Sequence, residues 1–260
     1  AAFAGFALSA GFIVTGALLA APSQSYAYDY GRAAYGEPAY EPAAPRMNAP
    51  SLVPHPPPVG PHPAVAPVVP STIDQVAQDL RQTGDAGRRL TVVGTMRNVG
   101  TTYAAISLAR TLASDANVVL VDFAFGAPNL SVISTDPNAP GVAELIRGTA
   151  SFGDIITRDQ YSRVHLVATG EVGVDVHALA ASPMLATIVE ALVHSNDHVV
   201  IDAGSAADFP VAQFAPLAPR AVLVTIDPAN AATSATRERL MTAGFADVSV
   251  IAGEAEAAAA

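Results

Sequence analysis

Gly94, Asn98, Gly100, Thr101 and Thr102 lie between an apolar run, Leu90–Val93, and a helix-forming stretch that begins at Thr101. Glycines in a strand-to-helix turn let backbone N–H groups converge on an anion, and the helix N-terminus adds the positive end of its dipole. A hydroxyl such as Thr102 can reach a magnesium ion beside that anion. Asp122 and Asp202 close two further apolar runs, Val118–Val121 and Val199–Ile201, and carboxylates there suit the same ion. The chemistry suggested is binding of ATP or ADP by Gly94, Arg97, Asn98, Gly100, Thr101 and Thr102, with Mg²⁺ on Thr102, Asp122 and Asp202. One provision is missing. Such loops ordinarily end in a lysine, and this chain has none, because all 13 basic residues are arginine. Arg97 is the basic residue inside the loop.

The elements that must position these residues follow from the apolar pattern. Short runs rich in valine and isoleucine occur at Leu90–Val93, Val118–Val121, Val164–Val167, Val199–Ile201, Ala221–Ile226 and Val248–Ile251, bounded by Gly, Asp or Pro. Continuous apolar character, rather than alternation, is what strands buried on both faces require. Helical stretches separate them at Thr101–Ser114, Gly141–Arg147, Pro183–His194, Asp208–Leu217 and Thr233–Ala243, with a leading helix at Asp74–Arg81. Strand and helix in alternation predict an α/β fold with a doubly wound, mainly parallel sheet, whose ligand crevice lies beyond the carboxyl ends of the strands.

Composition divides the 260 residues further. Residues 1–21 are uncharged and apolar, about 31 Å as a helix, and predict a transmembrane helix. A secretory signal peptide is the competing reading, disfavoured by the absence of an initiator Met and a basic leading region, which suits a chain whose upstream part has been left out. Residues 22–70 are rich in proline and tyrosine and predict a disordered, semi-extended linker. Five tyrosines at its membrane end, Tyr26, Tyr28, Tyr30, Tyr35 and Tyr40, are phosphoacceptor candidates, interfacial anchoring being the plainer role. Residues 71–253 form the globular domain, and 254–260 a disordered tail. A net charge of -10 with scattered arginines argues against nucleic acid. The absence of cysteine removes disulfides and thiol chemistry. His194 and His198 have helical ligand spacing but are separated by a helix-ending Asn196-Asp197 and lack a third ligand.

Longer segments carry a resemblance. Gly100-Thr-Thr-Tyr-Ala-Ala-Ile-Ser-Leu-Ala109 resembles the G-K-T-T-x-A-x-N-L-A of deviant Walker ATPases, and Val119-Leu-Val-Asp-Phe-Ala-Phe-Gly-Ala-Pro128 their second motif, L-I-D-x-D-x-R-x-P. Asp197-His-Val-Val-Ile-Asp202 resembles their Walker B strand. The segment from Pro140 to Ile156 is similar to the insert of one branch, the bacterial tyrosine kinase (BY-kinase) domain of Wzc-like polysaccharide co-polymerases. The likeness covers about residues 85 to 253. Three departures stand beside it. Thr101 occupies the lysine position and Met96 the earlier signature position, Ala124 replaces the second aspartate, and the tail lacks tyrosines.

The resemblance implies a P-loop NTPase-like domain of MinD/BY-kinase type with degenerate motifs, in which Asp122 and Asp202 are vestigial catalytic residues. It implies a cytoplasmic regulatory or scaffold domain, a pseudo-ATPase or pseudokinase, in an exopolysaccharide biosynthesis, chain-length or export protein of the bacterial inner membrane. Polysaccharide polymerase or export machinery and further copies of the chain are the implied partners. An active ATP-dependent tyrosine autokinase of the same family, and a localisation ATPase related to MinD or CpaE, are the alternatives. In related folds the segment Asp227-Pro228-Ala-Asn230 holds a nucleobase, although its residues read as a turn.

Overall fold

The computed structural model describes residues 69–173, 175–208 and 210–253. The expected membrane helix, nearly all of the linker with its five tyrosines, and the tail lie outside the described residues. Among those described, no helix is long and apolar enough to cross a membrane.

In chain order the elements are α1 (Ile73–Gln82), β1 (Arg89–Gly94), α2 (Thr101–Leu112), β2 (Val118–Asp122), α3 (Val142–Arg147), α4 (Phe152–Ile155), β3 (Ile156–Arg158), β4 (His165–Val167), α5 (Val176–Ala180), α6 (Met184–Ser195), β5 (His198–Ser205), β6 (Arg220–Thr225), α7 (Ala231–Thr242) and β7 (Asp247–Ala252). The seven strands form one sheet in the order β3-β4-β2-β5-β1-β6-β7. Every pairing is parallel except that of β3 with β4. All six expected apolar runs are strands. The short antiparallel β3 at the edge is an addition, and the expected helix at Asp208–Leu217 is reduced to a single 3-10 turn, Val211–Phe214. Pro210 and Pro216 bracket that turn, and a proline lacks the N–H that an interior helical position donates.

Side chains of a strand alternate between the two faces of the sheet, and the two core layers follow that alternation. Leu90, Val92, Leu120, Val200 and Val222 pack with α1 and α2 on one face. Val93, Val119, Val121, Ile201 and Leu223 pack with α3, α5, α6 and α7 on the other. Asp122 has the parity of Leu120, and Asp202 that of Val200. Both carboxylates therefore belong to the α2 face.

The leading helix is locally encoded. Thr72 accepts the Gln75 N–H at 3.2 Å while the Gln75 side chain accepts the Thr72 N–H at 2.8 Å, a capping box. Val76, Ala77 and Leu80 then form its buried stripe. The start of α2 is different. Its N-cap is Gly100 in the left-handed region (φ 80°, ψ 27°), and no side chain caps it, so its first N–H groups are left for another acceptor.

Candidate functional site

A cleft of about 780 Å³ lies beyond the carboxyl ends of β1, β2 and β5, strands that are adjacent in the sheet. Its walls are the loop after β1, the first turns of α2, the Ala124–Asn129 stretch and the loop after β5. Arg97, Asn98, Gly100, Thr101 and Thr102 all border it. Gly94 lies beneath the loop rather than on the wall. A Cβ there would sit 2.2 Å from Thr101 Oγ1 and 2.8 Å from Val99 Cγ2, so only glycine lets the threonine at the lysine position fold back onto the end of β1. Asn98 has φ 59°, a left-handed conformation that asparagine tolerates better than most side chains.

Asp122 and Asp202 face each other in register across β2 and β5. Both are fully buried, and their surroundings differ. Asp122 Oδ1 accepts the Ala124 N–H at 3.0 Å, and Oδ2 accepts the N–H groups of Asn129 and Leu130, each at 3.2 Å. It holds the post-β2 loop in shape. Burial pushes its pKa up against the pull of those N–H groups. Asp202 Oδ1 accepts the Gly204 N–H at 2.9 Å, whereas Oδ2 has no hydrogen-bond partner. Burial, and then the charge of Asp122, push the Asp202 carboxyl up to about 7, opposed by Thr102 and the Gly204 N–H. Thr102 acts on it through proximity, without a hydrogen bond of good geometry to Oδ2.

The strand itself is irregular here. The β1–β5 register shifts between Val92 and Gly94, which pair with Asp202 and Ser205, and Gly204 has φ +65°. A bulge of this kind turns the chain beside a site. It directs the loop that carries Asp208.

Arg97 donates from Nε to Asp208 Oδ1 at 2.6 Å, and this pairing holds the guanidinium pKa above its ordinary value. Among the described residues lining the cleft, Arg97 is the only cation. Asp208 was not among the residues the sequence pointed to, since nothing in the chain signals a contact 111 positions away. Ala124, at the position of the second motif's other aspartate, is buried and lies next to Phe123 and Phe125, whose rings stack at 5.8 Å. Met96 and Tyr103 are exposed at the cleft mouth.

The residues fit a magnesium ion better than they fit phosphates. The unpartnered Asp202 Oδ2, with Thr102 beside it, offers an oxygen a cation would satisfy. The phosphate half has an uncapped helix N-terminus but no free positive side chain. Three other constellations have structural roles. His198 Nδ1 lies 3.0 Å from the Gly87 carbonyl and His194 Nδ1 2.6 Å from that of Glu190. Asp227 accepts the Ala229 N–H and Asn230 that of Ala232, capping α7.

No family model and no curated protein matches the sequence. Solved structures do. The kinase domain of the Escherichia coli tyrosine kinase ETK is 20% identical with a TM-score of 0.62, over 73% of this chain and 79% of that one. The VpsO kinase domain is 21% identical with a TM-score of 0.59, over 70% of this chain and 91% of that one. MinD of Pyrococcus horikoshii, complexed with Mg-ADP, is 20% identical with a TM-score of 0.53, over 63% of this chain and 68% of that one. The fold of this chain is that of the ETK and VpsO kinase domains, and MinD shares it.

Proposed function

We propose that the chain is a regulatory or scaffold domain of the BY-kinase branch, a pseudo-ATPase or pseudokinase attached to the inner membrane and serving exopolysaccharide polymerisation or export. Self-association and contact with the polymerase or export machinery are its work on this reading. Hydrolysis is not. The observation that carries the proposal is a cleft at the strand ends whose only cation among the described residues, Arg97, is already paired with Asp208. A charge-assisted hydrogen bond contributes about 1.5–3 kcal/mol, so losing the lysine weakens phosphate binding by about one to two powers of ten. In the transition state of phosphoryl transfer, a positive group is worth roughly 10³–10⁵ in rate. Turnover suffers more than binding.

The kinase domains support this branch over the MinD-like alternative, because they align with more of the chain at higher TM-scores. The presence of Arg97 at the cleft favours a second reading, an autokinase in which that arginine replaces the lysine and Tyr26 to Tyr40 are acceptors. Calorimetric titration with ADP and magnesium, with ATP hydrolysis measured in parallel, tests the proposal. Thr101→Lys is expected to bind about ten- to a hundredfold more tightly than the wild type, and the wild type to show no turnover. Hydrolysis or tyrosine phosphorylation by the wild type at the rates of lysine-bearing relatives, abolished by Asp202→Asn, overturns it.

A further inference from the structure

Arg97 and Asp208 both line the cleft, one in the loop after β1 and the other in the loop after the neighbouring strand β5. One backbone bond ties the two loops together, and a second is internal to the loop after β5. Ala206 N–H donates to the Gly94 carbonyl at 2.9 Å, and Asp208 N–H to the Ser205 carbonyl at 3.0 Å. The partners are unequal: the Arg97 side chain is 68% exposed and that of Asp208 only 9%. An arginine in water can exchange one anion for another with little change in its own solvation. A carboxylate out of water loses its compensation when the arginine leaves, and a buried charge without its partner is costly.

We infer that Asp208 is the specificity-determining residue of this cleft: by occupying Arg97 it closes the site to polyphosphates, and it keeps an anion-binding arginine in reserve. The inference rests on the reading of the cleft as a nucleotide cleft. A phosphate that draws Arg97 inward must also offset the stranding of Asp208. Removing the Asp208 charge while keeping its size frees Arg97 without disturbing the backbone bonds that place it.

The test is titration of the full 260-residue chain, in mild detergent, with Mg-ADP as the probe. Wild type, Asp208→Asn, Asp208→Ser, the double variant Arg97→Ala/Asp208→Asn, and Thr101→Lys are compared, thermal unfolding showing that each is folded. Asp208→Asn and Asp208→Ser are expected to bind about tenfold more tightly than the wild type. The double variant is expected to return to the wild-type affinity. Absence of a gain in both single Asp208 variants, or a gain that persists without Arg97, overturns the gate. A gain in Thr101→Lys alone sinks the gate and leaves the nucleotide-cleft reading standing. Failure of every variant to bind sinks both.

Discussion

Two buried carboxylates, one near each end of α2, receive opposite treatment. Asp159, at the start of the β3–β4 connection, accepts Arg110 through both its oxygens at 2.7 and 2.8 Å, with Ser162 Oγ at 2.5 Å and the Tyr161 N–H at 3.3 Å. The Arg110 guanidinium also lies 5.3 Å from the Tyr161 ring centroid. Burial alone raises the Asp159 pKa, but Arg110, Ser162 and the Tyr161 N–H outweigh it and hold the carboxyl below its usual range. Asp202 has one N–H, a neighbouring aspartate and an oxygen with no partner. The first carboxylate fastens an edge of the sheet to α2. The second is left in a state that stability alone does not favour, as ligand-binding sites commonly are.

Opposite shifts require opposite pH dependence. Asp202 titrates near 7 in the fold and near 3.9 unfolded, so the native state holds a proton that the unfolded chain has released. The stability from that proton is complete below about pH 4 and lost as the pH rises through 7. Asp202→Asn is therefore expected to stabilise the protein at pH 8 by on the order of 3 kcal/mol, the gain vanishing near pH 4. Urea unfolding at the two pH values measures it, and a destabilised variant at pH 8 breaks the comparison. Asp159 behaves in reverse, since a lowered carboxyl stabilises above about pH 4 and loses that contribution as the pH falls through its folded value. Arg110→Ala should cost about 2 kcal/mol at pH 7, less than a fully buried pair because the guanidinium is 35% exposed. Its deficit should shrink in acid. The smallest effect is expected at the cleft's own pair. Arg97→Ala/Asp208→Asn, which removes both charges at once, should lower Tm by less than a third as much as Arg110→Ala, because no carboxylate is left stranded and the lost guanidinium stood largely in water. A larger drop would make Arg97 a structural fastening like Arg110.

Much of the fold was legible because buried parallel strands demand continuous apolar runs rich in valine and isoleucine, and each of the six runs became one. The aspartates ending two of them were legible as a pair, since strands of a doubly wound sheet deliver their ends to one crevice. The edge strand β3 was not, having three residues and no apolar pattern of its own. The one-turn element after β5 was misread for a different reason. Its apolar content suits a helix while its prolines do not, and the prolines prevailed.

The sequence by itself determined the sheet, the crevice and the absence of a lysine, because each is written in residue type and spacing. Only the tertiary structure decided which charges remain available there. Arg97 and Asp208, 111 positions apart, cancel one another, while Asp122 and Asp202 are brought to the same level of adjacent strands. Electrostatic energy depends on distance and burial, and neither exists until the chain has folded.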